Sequence, residues 1–594
     1  MLRYLSLLLL LLFVIHNVFS QAEKQIEHNI QYELPYSISL NGKSVKKVFH
    51  PVNGYWSSSN QPPQFVCFIN SSFKNPSFAL NSFTELPLNK VEEQCVSDLQ
   101  SVPVNYSIKA SYTEMDGKGK VVLKGNAVRK DENGTYYRIT KFNGKLKPNN
   151  SSPKSTFVDN SVLSNGGQWY KLGVVEDGVY KLDYQTLLNS SIISGDLSSD
   201  LINIYGNGCG MLSAINGSQR PDDLILNRIF IEDGGDGIFS AGDYILFYAK
   251  GPHRKNFDGT HFSHSSHLYS DSSFYFINIS GSDLPHRIGT ASVTNSLPNF
   301  TVTSFTDFKY LEQDQLNLIK SGSQWFGDIF DVQTSFSYSF DFPNLITDSV
   351  RVKAKLIGKS PTSSTFFSLS SANSSTNLSV PSSGTGYYAP AGKAVTGIFS
   401  FIPSTANSLM LSIEYEKSSS PSSKGYLDFI EVNARRQLSI SENDMIFSDP
   451  NSIGPGNVAE FRIENASQLS FIWEITNPTD ALSVPLSING DVANFSVHTD
   501  SLREFVAVSG NGFPTPTLVG LTQPQNIHSL DNADMIIISP EKFLSAALDL
   551  KTFHESEGLS VHLVTPKEIY NEFSSGMRDA TAIKQFLRMF YVRG

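Results

Sequence analysis

The sequence has few cysteines, few charged residues and no long basic cluster, and these shortages limit the kinds of protein it can be. Only 3 cysteines occur in 594 residues, which excludes a disulfide-stapled scaffold and any Cys-rich zinc or iron–sulfur module. Charged residues make up 17% of the chain, against roughly 25% in an average soluble protein. The formal net charge of −10, without a long Lys/Arg cluster, argues against nucleic acid as a partner.

Hydrophobic and aromatic residues are plentiful enough to build several folded cores. They make up 40% and 12% of the chain, respectively, which excludes an intrinsically disordered protein. At roughly 150 residues per domain, the length predicts about four domains.

Residues 1–20 have the pattern of a secretory signal peptide. Arg3 supplies the positive region, an apolar run extends from Leu5 to Ile15, and Ser20 offers a small residue at the cleavage position. This run is too short to span a hydrocarbon core of about 30 Å; an N-terminal anchor helix is the alternative. We therefore predict an exported protein with no transmembrane helix after cleavage. Under oxidising conditions Cys67 and Cys95 form a candidate disulfide, and the sequence leaves their pairing open.

The first 531 residues read as a series of β domains. Short runs of alternating apolar and polar residues, such as Lys120–Leu123, are separated by Gly, Pro and Asn turns. We predict several β-sandwich-like domains, with almost no long amphipathic helix. Their predicted bounds are 21–150, 155–300, 301–440 and 441–531, the last being a small Ig-like domain, with a linker at 147–154.

The pattern changes at residue 532. Met535–Ile538 is an unbroken apolar run, typical of a strand buried on both faces. Ser539 and Pro540 predict the start of a helix that stops near Gly558. A second strand at 561–564 and helices opened by Pro566 and Asp579 follow. Strand, helix, strand, helix predicts the start of a parallel α/β domain at 532–594, and two strands are too few for a complete one.

Several segments together resemble the gingipain-type cysteine peptidase family, and in particular its subgroup that acts as the sortase of the type IX secretion system. Four lie near the C-terminus: 534–539, 554–561, 569–576 and 579–584. Further segments lie upstream: 177–182, 233–237, 242–248, 316–327 and 473–478. Each segment alone is weak, but their order along residues 169–594 is fairly specific.

The resemblance implies a secreted cysteine peptidase whose mostly β region precedes a caspase-like α/β domain, of which this chain holds the truncated start. Its subgroup removes the C-terminal secretion signal of exported cargo proteins and joins the new end to a surface glycolipid, working with other type IX secretion components. No cofactor is implied. The implied location is the cell surface or outer membrane.

The chain departs from this family at the catalytic residues. After Gly558 there is no cysteine, and the only histidine is His562, inside a predicted strand. We therefore expect the catalytic histidine and thiol beyond Gly594, and we expect this chain alone to be inactive. Cys209 is a weaker nucleophile candidate, because a nucleophile needs an exposed thiol beside a base. A structural loop cysteine is the favoured interpretation.

A glycine-rich loop supplies the candidate metal ligands. Asp233, Asp236 and Asp243 lie in it, and three carboxylates with loop carbonyls could bind a structural calcium ion. The alternative is a hairpin whose aspartates cap their own backbone amides. His261, His264 and His267 have a spacing that could converge on a metal, although a polar surface loop is the favoured interpretation. Trp325 and Trp473 are predicted to be core aromatic residues.

Two functions from different classes are consistent with these observations. The leading hypothesis is the N-terminal part of a type IX secretion sortase. The rival hypothesis is a cell-surface adhesin or structural β protein with a degenerate peptidase domain. The sequence encoded past Gly594 would discriminate between them. A strand followed by a loop with a histidine, and a later strand followed by a cysteine, would favour the enzyme.

Overall fold

The structure is a computed structural model that divides the chain into two compact units, Met1–Thr156 and Phe157–Gly594. The division falls just after the predicted linker at 147–154. Cys95, Cys209 and the predicted signal peptide lie outside the described residues. The described residues are 24–32, 36–40, 43–48, 51–52, 54–55, 63–70, 76–93, 102–115, 118–131, 133–148 and 157–593, except 209, 217, 219, 373, 404–406, 418, 442 and 511.

The described residues of the first unit form antiparallel strands and one short helix, α1 (Lys90–Glu93). Its strands are β1 (Lys24–Asn29), β2 (Tyr36–Leu40), β3 (Lys43–Val48), β4 (Gly54–Tyr55), β5 (Gln64–Asn70), β6 (Pro76–Pro87), β7 (Ile108–Met115), β8 (Lys118–Asn126), β9 (Val128–Lys130) and β10 (Tyr136–Pro148). They form the sheets β1-β10-β6 with β9 on β10, β4-β5-β8-β7, and the pair β2-β3.

Alternation along these strands places one apolar face in a shared core. Phe65 and Cys67 of β5 pack with Leu123 of β8 and Phe142 of β10. Cys67 has no disulfide partner among the described residues, and burial raises the pKa of its thiol to about 11, which makes the thiol a poor nucleophile at neutral pH. Because Cys95 is not described, its pairing with Cys67 stays a prediction.

The second unit contains most of the strands. They are β11 (Gln168–Val174), β12 (Gly178–Asp183), β13 (Leu197–Ser198), β14 (Ile202–Tyr205), β15 (Leu226–Asn227), β16 (Ile229–Glu232), β17 (Ile238–Phe239), β18 (Tyr244–Ala249), β19 (Arg254–Phe257), β20 (Phe262–Ser265), β21 (Ser273–Ile279), β22 (Gly289–Thr290), β23 (Phe300–Val302), β24 (Ser304–Glu312), β25 (Ile329–Phe330), β26 (Ser335–Asp341), β27 (Val350–Lys359), β28 (Thr365–Ser371), β29 (Ser374–Val380), β30 (Lys393–Phe401), β31 (Ser408–Glu416), β32 (Lys424–Gln437), β33 (Asp444–Phe447), β34 (Val458–Glu464), β35 (Leu469–Glu474), β36 (Leu482–Ser483), β37 (Ser487–Asn489), β38 (Val492–His498), β39 (Phe505–Ser509), β40 (Thr517–Thr522), β41 (Met535–Ile538) and β42 (Val561–Val564).

Helices are few and lie mainly at the C-terminal end. The α-helices are α2 (Tyr184–Asn189), α3 (Leu544–Ser556), α4 (Pro566–Phe573) and α5 (Ala580–Arg593). Short 3₁₀ turns occur at Val162–Ser164, Ser199–Leu201, Pro450–Ser452, Ala466–Gln468, Ile527–Ser529 and Glu541–Phe543. Among the described residues, no helix combines the length and the apolar character that a membrane crossing requires.

Three layered β bodies make up most of this unit. In the first, the sheet β15-β14-β21-β11-β40 encloses a core with β12-β18-β16. In the second, β24-β32-β27-β30 faces β26-β31-β28-β29. In the third, β22-β36-β35-β39-β33 faces β23-β34-β38-β37 around stacked phenylalanines such as Phe461 and Phe495. The predicted mostly β fold of sandwich-like domains is confirmed.

Strand pairing crosses two of the predicted domain boundaries. β22, from the predicted domain 155–300, and β23, which straddles the predicted boundary at 300/301, pair in parallel with β36 and β34 of the third body. β40, from the predicted domain 441–531, pairs antiparallel with β11 of the first body. The second body, by contrast, uses strands only from within 301–440.

The two tryptophans predicted to be core residues differ in solvent exposure. Trp473 is 3% exposed and packs with Val179 and Tyr248 between the first and third bodies. Trp325 is 42% exposed, so its predicted core position is wrong. The neighbouring Phe326 is 5% exposed and takes the inward place, because successive residues of an extended segment point to opposite sides.

The α/β element at the C-terminus has the predicted order. β41 and β42 pair in parallel, with α3 between them in the chain, and Gly558 after α3 has φ +91°. Thr565 and Glu568 form a capping box at the start of α4, and Asp579 accepts the amide of Thr581 at α5. The residues of β41 are half-buried rather than buried on both faces, because only two strands form this sheet.

Candidate functional site

A cleft of about 670 Å³ lies where the α/β element meets the first β body. Pro540 and Glu541 follow β41, and Pro566 and Lys567 follow β42, so the carboxyl ends of both parallel strands open into it. In open α/β sheets, this edge is where ligand sites form. The first β body supplies the opposite wall through Lys171, Tyr269, Asp271, Phe274 and Val519.

Lys171 places a half-buried amine in this cleft. Its Nζ donates to the carbonyl oxygen of Gly576 at 2.8 Å and lies 4.0 Å from the ring centroid of Phe274. Burial, reinforced by the positive charges of Lys567 and Arg578, lowers the pKa of Lys171 to about 7. A large pKa shift in a cleft is a frequent mark of a functional site.

The loop after α4 fixes this wall of the cleft against the first β body. Ser575 donates to the carbonyl oxygen of Phe274 at 3.0 Å, and the amide of Leu212 donates to Asp579 at 2.8 Å. Gly576 has φ +80°, and a Cβ there would lie 2.5 Å from Nζ of Lys171. A side chain at position 576 would therefore displace the amine.

A buried ion pair lies directly behind the cleft. Nδ1 of His528 lies 2.6 Å from Oε2 of Glu572, and both side chains are fully buried. Glu572 also accepts the amides of Ile527 and His528 and the side chain of Gln525. The charge-assisted bonds join the segment before β41 to α4.

Two acidic residues of the β body face the same histidine. Nε2 of His528 lies 3.5 Å from Asp222, an ion-pair distance that is too long for a good hydrogen bond. Burial disfavours the imidazolium, but Asp222 and Glu572 outweigh it and raise the pKa of His528 to about 9. Burial raises the pKa of the neighbouring Asp223 to about 6.

These two shifts predict that the unit loses stability as pH rises. A group whose pKa is higher in the folded state contributes stability that is complete below its unfolded pKa and is lost as pH rises through its folded pKa. For Asp223 this window runs from 3.8 to about 6, and for His528 from 6.5 to about 9. We expect the melting temperature of His528→Gln to depend less on pH between pH 6.5 and 9 than that of the unaltered protein. Parallel curves for the two proteins would contradict the assignment.

The three predicted calcium ligands are engaged with their own loop. Asp233 accepts the amide of Gly235 at 3.0 Å, Asp236 that of Ile238 at 2.8 Å, and Asp243 that of Ser240. This is the hairpin-capping arrangement that the sequence offered as the alternative. In the described part of the chain, no group of three His, Cys, Asp or Glu residues is arranged to hold a metal ion. Calcium binding by this loop stays a prediction.

The three spaced histidines do not share one site, and the predicted surface loop is wrong for two of them. His264 is buried between Glu312, 2.7 Å away, and Glu431, 2.8 Å away, and His267 is also buried. Burial disfavours the charged ring, yet the two carboxylates raise the pKa of His264. It stacks on Tyr310 at 4.2 Å, which makes it a structural residue of the junction between β20 and β24.

The cleft has no signature in the sequence. Its cations come from residues 171, 567 and 578, which only the folded chain brings together. His528 likewise lies just before the predicted start of the α/β domain at 532. The local signal in the sequence is Gly576, since glycine is the residue that turns with positive φ favour, and both Ser575 and Gly576 have positive φ angles in the structure.

Comparisons with known proteins agree with this architecture. The family model of peptidase family C25 matches residues 528–594. Latent PorU from Porphyromonas gingivalis, a dimer in its crystal structure, superposes with a TM-score of 0.64 at 24% identity over 74% of this chain and 40% of that chain. The chain thus spans less than half the length of that protein, and the likeness shows the fold.

Two other solved structures match with low TM-scores, which do not establish a shared fold. Gingipain K from the same organism matches with a TM-score of 0.15 at 13% identity, over 21% of this chain and 86% of that chain. An insecticidal delta-endotoxin, Cry8Ea1 from Bacillus thuringiensis, gives the same score at 14% identity, over 41% of this chain and 43% of that chain. No curated protein matched the sequence.

Proposed function

We propose that this chain, which is PorU-like in fold and carries the start of a peptidase family C25 domain, is the N-terminal part of a type IX secretion sortase. In this role the whole protein cleaves the C-terminal signals of exported cargo and attaches the cargo to the cell surface. The observation that carries the proposal is the coincidence of the C25 match at 528–594 with a PorU-like fold over 74% of the chain.

The chemistry proposed is that of a cysteine peptidase. A thiolate attacks the peptide carbonyl and expels the signal segment, and the acyl-enzyme is then resolved by water or by an amine. The partners proposed are cargo proteins with C-terminal secretion signals, other type IX secretion components and a surface glycolipid. The proposed location is the cell surface or outer membrane.

In this proposal the residues described here support the reaction and do not perform it. The cleft opens at the carboxyl ends of β41 and β42, where the loops of an α/β domain carry its reactive groups. The His528–Glu572 pair and the Ser575 contacts hold that edge against the β body. The β bodies then position the peptidase sheet relative to its substrate.

We predict that the purified chain neither hydrolyses a peptide that carries a C-terminal secretion signal nor is alkylated at a base-activated thiol. Cys67 is buried with a raised pKa, and Cys209→Ala is expected to change nothing. The comparison is the same protein extended past Gly594, which is expected to cleave the peptide and to lose this activity when its added cysteine is replaced.

Two outcomes would contradict the proposal. Hydrolysis by the 594-residue chain that Cys209→Ala abolishes would make Cys209 the nucleophile. An extended protein with an intact sheet but neither catalytic residue would favour the rival hypothesis of an adhesin or structural β protein.

A further inference from the structure

The strand β40 forms an open edge of the sheet in the first β body. It pairs with β11 on one side, and no other strand or backbone hydrogen bond of the described residues involves it. Leu518, Val519 and Leu521 on this strand are all exposed. Soluble proteins usually protect such an edge, because its free N–H and C=O groups can pair with another extended chain.

A β-bulge connects this edge to the cleft. Lys171 pairs with Gly520 and Leu172 pairs with Leu518, so Val519 is the extra residue between them. Gly520 has φ +138° and places no side chain opposite Lys171. Val519 therefore lines the cleft, as expected of bulges, which often redirect a side chain beside a binding site.

The charge of the cleft favours an anionic group. Lys171, Lys567 and Arg578 line it together with two carboxylates, Glu541 and Asp271. Glu541 is 3.5 Å from Lys567 and offsets that charge. Arg578 is exposed and makes no hydrogen bond or ion pair with any described residue. Lys567 and Arg578 both lower the pKa of Lys171, so the potential at its amine is positive.

We propose that β40 is a docking edge for an extended acidic peptide, which adds as a further strand and places a carboxylate in the cleft near Lys171 and Arg578. Main-chain pairing would supply affinity, and pockets for alternate side chains would supply specificity. The apolar side chains of β40 favour a peptide over a nucleic acid or a free anion. The proposal goes beyond the proposed function, since binding requires no catalytic residue.

The test is fluorescence anisotropy of the whole purified chain with labelled eight-residue peptides. The first peptide alternates Val or Thr with Glu or Asp. The second has Lys at each acidic position, and the third keeps the acidic sequence but is N-methylated at alternate amides on one edge. We expect the first to bind and the other two to bind at least about tenfold more weakly, because charge and main-chain pairing are both required.

Two variants locate the binding surface. Arg578→Glu is expected to weaken the acidic peptide about tenfold and to strengthen the basic one. Leu521→Asn is expected to weaken both, because it replaces an exposed apolar side chain of the edge by a polar residue that disfavours strands and leaves the charge unchanged. Lys359→Glu is the matched control, because Lys359 is an exposed cation on β27 of another β body, and it should leave binding unchanged. Melting temperatures confirm that each variant is folded.

Several results would overturn the proposal. These are equal binding of the N-methylated peptide, equal binding of the acidic and basic peptides, or binding that neither Arg578→Glu nor Leu521→Asn alters. Self-association of the chain that Leu521→Asn breaks and that excess acidic peptide does not displace would assign the edge to a second copy instead. The peptide series uses the unaltered protein, so it decides the matter even if a variant does not fold.

Discussion

Replacing Glu572 by Ala should lower the free energy of unfolding of the C-terminal α/β element by about 3–5 kcal/mol, the usual cost of leaving a buried charge unpaired. Glu572 accepts four hydrogen bonds from Gln525, Ile527 and His528. Without it, the imidazolium of His528 keeps Asp222 at 3.5 Å and the weaker attraction of Asp223. The change should appear as a lower melting temperature and as faster amide exchange at residues 527–530.

The matched control is Glu555→Ala. Glu555 lies on the same α/β element, but its nearest cation, Lys551, is 3.7 Å away and the pair is at the surface. Exposed pairs contribute about 0–1 kcal/mol, so little change is expected. If Glu572→Ala were as mild as Glu555→Ala, the pair would not hold β41 and α4 together.

Replacing Trp473 by Ala should cost about 3–5 kcal/mol, the range measured for removing a large aromatic side chain from a packed core. Trp473 packs with Val179, Leu246 and Tyr248 of the first β body and with Val506 of its own sheet. The cavity would therefore open at the junction of two sheets rather than inside one. We expect a lower melting temperature together with increased proteolysis at this junction.

Trp325→Ala is the control for that experiment. It removes the same side chain from a position that is 42% exposed, and surface substitutions usually change stability by less than about 0.5 kcal/mol. An equal loss for both variants would show that Trp325 also supports a packed interface. A negligible loss for Trp473→Ala would mean that the two sheets are held together by other contacts.

Local chemistry allowed the α/β element to be predicted from the sequence. Pro566 at the first turn of α4, Asp579 before α5 and Gly558 after α3 each act within a few residues of their own position. The apolar runs at 535–538 and 561–564 likewise needed no knowledge of the rest of the chain. α4 and α5 begin where capping preferences placed them, whereas Ser539 caps no helix and a 3₁₀ turn, Glu541–Phe543, precedes α3 at Leu544.

The cleft and its support depend on distant residues, which is why the sequence did not reveal them. Lys171 is brought to Gly576 by the fold, and His528 finds its partner 44 residues away. The prediction that Trp325 is a core residue was wrong for a related reason. Its neighbour Phe326 is also apolar, and only packing decides which of the two side chains points inward. The aspartates of the 233–243 loop could bind either backbone amides or a cation, and both options use the same residues.

The pairing of β11 with β40 also sets an order of events when the chain folds. Residues 168–174 meet residues 517–522, so the first β body cannot complete its sheet until synthesis has passed residue 522. Closing so long a loop costs entropy before any contact repays it, and such topologies fold slowly. During synthesis β11 would therefore present an unpaired edge for most of the time that the ribosome needs to reach β40, a period in which a chaperone could bind it.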